Sequence, residues 1–203
     1  KDNREIFTPA ITAWLMIGQK IIGGNNLSGC IRLLLEGKGR SYDWLSATRR
    51  FAVKGLSKST GGVCQARQRL PESKVVELAD EIEFRIRQDQ KVKNQHSSYL
   101  LDGTTIALSN TAAIKKDFKA HRNDKRECMP EARVVVAHDI ESGIALRPEI
   151  GSLAIGEQAL CIPLMDRIPA GSVIIADRNF GIFFVAWHAV QRELKPVVRL
   201  QQV

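Results

Sequence analysis

Two stretches decide the fold: Tyr99-Leu100-Leu101-Asp102-Gly103-Thr104-Thr105-Ile106-Ala107-Leu108, and further along Ser172-Val173-Ile174-Ile175-Ala176-Asp177. Both are rich in apolar and β-branched residues and read as strands. Each carries one aspartate, near the middle of the first and at the end of the second. A carboxylate in an apolar strand is costly unless it is paired or bound to a cation, so Asp102 and Asp177 are the positions to weigh. Between the two runs, residues 132–138 form a Val-rich strand, Glu141-Ser142-Gly143 a turn, and residues 144–150 a returning strand, together a hairpin. Residues 156–168 read as a helix shortened near Pro163, and Pro169-Ala170-Gly171 as a turn. After Asp177 come a helix over 183–194 and a strand over 196–200. The order from Tyr99 is strand, strand, strand, helix, strand, helix, strand. That order predicts a mixed α/β fold, a mixed sheet with helices packed on it. Residues 110–131 read as polar, basic and irregular.

Upstream the periodicity is helical. Thr8-Pro9 offers a hydroxyl cap followed by proline at the first helical position, and Ile11, Trp14, Leu15, Ile17, Ile21 and Ile22 follow at helical spacing up to Gly23-Gly24. A second helix is predicted over 28–35, with Gly37-Lys38-Gly39-Arg40 as a basic loop. A short capped helix carries Arg67 and Arg69, and residues 72–88 form the clearest amphipathic helix, with Val75, Val76, Leu78, Ala79, Ile82 and Ile86 on its apolar face. The polar stretch 91–98 marks the expected boundary, so residues 1–92 are read as a helical N-terminal region and 93–203 as the sheet-containing domain.

Composition bounds the rest. The chain has 203 residues, 44% apolar and 26% charged, which suits a packed core. A net charge of +8 points to an anionic partner, nucleic acid first. Cys30, Cys64, Cys128 and Cys161 include no C-x-x-C pair, which argues against structural zinc and for reduced thiols. The apolar stretch 11–22 contains Gln19 and Lys20 and is too short to span a bilayer. A cytoplasmic, membrane-free protein is the expectation.

Two carboxylates on neighbouring strands repel each other unless they share a divalent cation. With Mg²⁺ or Mn²⁺ in place, the chemistry open to them is phosphoryl transfer, one ion activating a water or 3′-hydroxyl and a second steadying the leaving oxygen. The alternative reading is structural: Asp102 caps a turn with Gly103, and Asp177 pairs with Arg178 or caps the following helix. Arg67 and Arg69, with Arg49, Arg50, Lys54 and Lys58, make a basic N-terminal region suited to phosphate contact. Lys115, Lys116, Lys119, His121, Arg122, Lys125 and Arg126 crowd the segment after the first aspartate. They are able to track a DNA backbone or to remain a solvated loop. Arg178 follows the second aspartate and is a candidate phosphate contact. His138 beside Asp139 is a weaker metal candidate, and Phe180, Phe183, Phe184 and Trp187 are expected to pack in the core.

Five segments, in the right chain order, resemble the DDE transposases of bacterial insertion sequences. Residues 99–105 are similar to their first-aspartate segment, and 174–180, with Asp177-Arg178-Asn179-Phe180, to their second. Gly156-Glu157-Gln158-Ala159-Leu160 resembles the stretch before the intervening helix. Residues 59–71 and Phe7-Thr8-Pro9-Ala10 resemble parts of the helical N-terminal region. The resemblance covers nearly the whole chain and implies an RNase H-like catalytic core in which Asp102 and Asp177 bind Mg²⁺ or Mn²⁺. It also implies double-stranded DNA at transposon ends as partner, a homodimer on paired ends, and a bacterial cytoplasmic setting. The family's third ligand is a glutamate in a Tyr-x-x-Arg-x-x-x-Glu signature beyond a β-rich insertion, and neither is present here. Glu149, Glu157 and Glu193 do not sit in that motif. The expectation is therefore a transposase fragment, truncated before the third acid and inactive alone. Two alternatives are a non-catalytic DNA-binding protein that inhibits a transposase, and an RNase H-like Mg²⁺-dependent nuclease.

Overall fold

The computed structural model describes residues 7–21, 26–35, 60–89, 97–118, 120–123 and 126–199. By packing, the chain divides into two compact units, Lys1–Leu78 and Ala79–Val203.

The first unit is helical among its described residues. Helix α1 spans Pro9–Ile21, and the Thr8 hydroxyl accepts from the Ile11 amide at 3.4 Å, the cap that Thr8-Pro9 predicts. Helix α2 spans Leu27–Leu35, with the Asn26 carboxamide oxygen accepting from the Gly29 amide at 2.9 Å. Helix α3 spans Gly61–Arg69. Ile11, Leu15, Cys30, Ile31 and Val63 form a small core, one face from each helix, with Phe7, Trp14 and Leu27 packed against it. The proposed basic loop at 37–40 and Arg49, Arg50, Lys54 and Lys58 lie outside the described residues. Helix α4 spans Glu72–Asp89. Val75 and Ile82 on its expected apolar face remain 43% and 41% exposed.

The second unit is built on a mixed sheet. Its strands are β1 (Ser98–Ala107), β2 (Ala120–Asn123), β3 (Arg126–Asp139), β4 (Glu149–Ser152), β5 (Val173–Ala176) and β6 (Lys195–Val198). Strand β1 pairs antiparallel with β3 and parallel with β5; β5 pairs parallel with β6, and β4 antiparallel with β3. The order is β4-β3-β1-β5-β6, with β2 forming a ribbon on the first half of β3. An antiparallel trio followed by two parallel strands on the other side of β1 makes a mixed sheet with helices packed on it, the fold class that the chain order predicts. Helices α6 (Glu157–Met165) and α7 (Phe183–Gln191) make the β4-to-β5 and β5-to-β6 crossovers. Tyr99, Leu101, Val135, Ala137 and Ile174 from the sheet meet Leu160, Cys161, Leu164, Val185 and Ala189 from these helices in one buried core. Because side chains alternate along a strand, the residues between them face the other way. On that side Leu100 is 44% exposed and Val197 57% exposed.

Three expectations need correction. Residues 110–131 are not irregular: they contain helix α5 (Ala112–Asp117), β2 and the first part of β3. Thr111 caps α5, its hydroxyl accepting from the Ile114 amide at 3.3 Å. The returning strand is also shorter and later than 144–150, pairing only over Glu149–Ser152, with one isolated bridge from His138 to Ala145. Ile144 and Leu146 are buried and bond to β3 on either side of that bridge, Asp139 N donating to Ile144 O and Leu146 N to Ala137 O, each at 2.8 Å, so the ladder closes behind Gly143, at φ +70°, and breaks before Glu149. Finally, of the four aromatics placed in the core, only Phe180 is there. Phe183, Phe184 and Trp187 are 84%, 53% and 49% exposed. The buried side of α7 is made by the smaller Val185 and Ala189, four residues apart and so on one helical face.

Candidate functional site

The last β1–β5 register pair is Leu101 with Ala176, and the next residue on each strand is Asp102 and Asp177. Neighbouring strands lie about 4.8 Å apart. Asp177 keeps an extended backbone, φ −73° and ψ 177°, so the alternation of β5 carries through it. Both aspartates therefore stand at one rim, at the carboxyl end of β5, on the face away from the helix-covered core. Both are exposed. Among the described residues neither has an ion-pair partner, Arg178 included. Each uses one carboxylate oxygen locally: Asp102 Oδ1 accepts from the Gly103 amide at 2.8 Å, and Asp177 Oδ1 accepts from the Asn179 amide at 2.9 Å. The turn-capping contacts of the structural reading are thus present, and they leave the second oxygen of each group available.

Two hard carboxylate oxygens suit Mg²⁺ or Mn²⁺, which commonly take one or two protein carboxylates and fill the other positions with water or phosphate oxygen. Among the described residues no group of three or more His, Cys, Asp or Glu is placed to hold a metal ion. The donor set fits an ion held by two side chains.

Sequence reasoning missed the polar cluster behind this rim. Glu157 and Gln158, the first two residues of α6, reach the Asp177 turn across 22 and 21 residues of chain. Gln158 Nε2 donates to both Asn179 O and Asn179 Oδ1 at 2.9 Å, and Asn179 Nδ2 donates to Glu157 Oε2. Arg133 Nε on β3 lies 3.8 Å from Glu157 Oε1. Glu157 also lies flat against Gly103: a Cβ there would come within 2.6 Å of its carboxyl carbon. Gly156-Glu157-Gln158 was the available signal, since it stands out as a motif, but nothing in the sequence assigns its contacts.

The expected basic contacts are scattered. Arg67 and Arg69 are exposed on α3 in the first unit, Lys116 is exposed on α5, and Arg178 is exposed beside Asp177. Arg122 lies on β2, and Lys119 and Lys125 lie outside the described residues. His138 and Asp139 do not form a metal pair. As strand neighbours they face opposite sides, and Asp139 is fully buried, with Arg87 Nη1 at 3.2 Å and the Glu141 and Ser142 amides at 3.0 and 3.3 Å.

Arg87 also donates to the Tyr99 hydroxyl at 2.9 Å and pairs with Glu83 at 3.1 Å. Burial pushes the Tyr99 phenol up, more than the Arg87 hydrogen bond and charge pull it down. Burial works to lower Arg87, but its contacts with Tyr99 and Glu83 outweigh it and hold the guanidinium above its ordinary value. Burial pushes the Cys161 thiol up to about 12 and raises Cys30. Among the described residues Cys30, Cys64 and Cys161 are free thiols, and no helix is long and apolar enough to cross a membrane.

No protein-family model matches the sequence, and no curated protein matches it. Among solved structures the chain is similar to the Mos1 transposase paired-end complex with left transposon end, at 10% identity and a TM-score of 0.32, covering 93% of this chain and 72% of that one. It is also similar to the Mos1 mariner paired end complex with Mn (9%, TM-score 0.28, 93% and 72%) and to a pre-cleavage Mos1 transpososome (9%, TM-score 0.32, 96% and 74%).

Proposed function

We propose that this chain is part of a DNA transposase of the DDE type, with Asp102 and Asp177 as two of its metal-binding carboxylates. The observation that carries the reading is the register: two exposed aspartates, one position beyond Leu101 and Ala176, on adjacent parallel strands at one rim of an RNase H-like sheet. Ligand sites in sheets with parallel strands gather at such carboxyl ends. The pair would hold Mg²⁺ or Mn²⁺, which supplies activation of a water or 3′-hydroxyl for attack on a phosphodiester. The chain's own part is to hold the two carboxylates in register and to offer cations to the DNA backbone. Arg178 is nearest in sequence; Lys116 and Arg122 follow β1, and Arg67 and Arg69 belong to the helical part, residues 1–92, proposed to contact transposon-end DNA. Double-stranded DNA is the proposed partner, and a homodimer on paired ends the proposed assembly. With two carboxylates in the set, the ion is held weakly and the chain alone is not expected to cut or join DNA.

The test is a Mn²⁺ titration of the chain, alone and with a short DNA duplex, followed by electron paramagnetic resonance of the free ion. Weak binding that disappears in both Asp102→Asn and Asp177→Asn is expected. Binding untouched by either substitution would overturn the reading.

A further inference from the structure

We infer that Glu157 is a positioning residue for the Asp102–Asp177 pair, acting as a strut between the two aspartate-bearing segments through Gly103 and Asn179. The inference rests on the proposed metal site and adds to it the device that sets its geometry.

The argument starts from how little holds each aspartate by itself. Asp177 is exposed, and its one bond, from the Asn179 amide, is only as rigid as the three-residue helical turn Arg178–Phe180 that follows it. Asn179 is not held by that turn alone. Its side-chain nitrogen donates to Glu157, and its side-chain oxygen and its backbone carbonyl both accept from Gln158. Every polar group of Asn179 is thereby engaged, one with Asp177 and the others with the start of α6. The site of Asp177 is fixed to a helix rather than left on a loop.

The same glutamate meets the other strand. Glu157 lies on the core side of β1 directly against Gly103, the residue after Asp102, where any side chain would collide with its carboxyl group. Gly103 leaves that seat open, and Arg133 on β3 flanks it. One carboxylate thus touches the neighbour of Asp102 and the residue that holds Asp177. A shift of either segment breaks a contact that the other shares. This gives Gly103 and Asn179 specific roles: the first admits Glu157, and the second transmits its position to Asp177. Glu157 points to the covered side of the sheet and the aspartates to the open side, so its part is support and not ligation.

The experiment is the Mn²⁺ titration of the whole chain, with thermal unfolding measured for every variant. Partners that orient metal ligands typically change affinity by about tenfold or more. Glu157→Ala and Asn179→Ala are expected to weaken Mn²⁺ binding about tenfold, and Gly103→Ala to act in the same direction. Glu157→Gln keeps an oxygen that accepts from Asn179 and is expected to bind within about twofold of the unmodified chain, on the same principle that the oriented contact survives. Gln158→Ala removes only the second clamp and is a milder variant should Glu157→Ala unfold. If Asp177→Asn abolishes binding while Asn179→Ala and Glu157→Ala leave it unchanged at equal thermal stability, the strut is refuted and the metal site stands. If Glu157→Gln loses as much as Asp177→Asn, Glu157 acts through its charge or as a ligand, and the positioning role is refuted. If Asp102→Asn and Asp177→Asn both leave binding unchanged, the metal site fails and the strut fails with it.

Discussion

The start and the middle of strand β1 put carboxylates to opposite uses. At its start, Tyr99 pairs across the sheet with Asp139, which is fully buried and saturated: two backbone amides and the Arg87 guanidinium surround it. Three residues on, Asp102 stands exposed with one local amide, and Asp177 beside it has the same. A buried carboxylate is tolerable only when its lone pairs and its charge are answered, so Asp139 is tied to the fold. An exposed carboxylate with a free oxygen costs little to keep and is available to an ion. The difference separates the acid that closes a turn and anchors α4 from the acids at the rim, though all three lie on or beside strands and look alike in sequence.

The largest effect that would break this contrast is at Asp139. Asp139→Ala leaves the half-buried Arg87 without its deepest partner and removes the acceptor for two turn amides. A loss of about 3–5 kcal/mol is expected, the range for breaking a buried pair from one side. Urea unfolding measures it. A loss below about 1 kcal/mol, the value of an exposed pair, would put Asp139 in the same class as the rim aspartates.

At the rim the expected order is reversed. Asp102→Asn and Asp177→Asn should change unfolding free energy by no more than about 0.5 kcal/mol, as surface substitutions do. What they should remove is the stabilisation by added metal. An ion at ten times its dissociation constant stabilises a fold by about 1.4 kcal/mol, visible as a rise in melting temperature with Mn²⁺. That rise is expected in the unmodified chain and in Asp139 variants that still fold, and is expected to vanish in both rim variants. Persistence of the rise in Asp177→Asn would move the ion elsewhere.

These contrasts also mark how far the sequence could be read. The strands around Asp102 and Asp177 were legible because both are short apolar runs bounded by turn residues. The crossovers were legible because helical periodicity returns between them. Residues 110–131 were not, since α5 and the β2–β3 ribbon carry so many charges that no apolar period survives, and the ribbon's register shifts between Ala120 and Arg122. Helix α7 misled for the opposite reason: Phe183, Phe184, Trp187 and Val190 make it apolar around much of its circumference, so pattern alone did not single out the face of Val185 and Ala189. The two candidate aspartates stood out as acids in strands. Their support did not, because Glu157 and Asn179 are brought together only by the crossover, and a lone Gly-Glu-Gln before a helix reads equally well as an ordinary helix start. Arg87 and Asp139, 52 residues apart, left no sequence signal of their pairing.

The smallest expected effect sharpens the buried end further. Tyr99→Phe removes the hydroxyl that accepts from Arg87 and should cost about 1 kcal/mol at neutral pH, the net worth of one hydrogen bond. That cost should depend on pH. Burial raises the Tyr99 phenol above its ordinary 10.0, while the unfolded chain titrates near that value. The unfolded state therefore releases this proton first, and stability drains away as pH rises from about 10 through the raised folded value. Phenylalanine has no such proton, so the gap between the two proteins should narrow above pH 10, read from melting temperatures at pH 8 to 11.5. Cys161, raised from 9.0 to about 12, steepens the loss in both proteins equally and cancels from the difference. A constant gap would mean that Arg87 offsets the burial of the phenol completely. A widening gap would mean that Arg87 favours the phenolate, making the buried end of β1 an electrostatic site in its own right and overturning the distinction between an anchored end and an available rim.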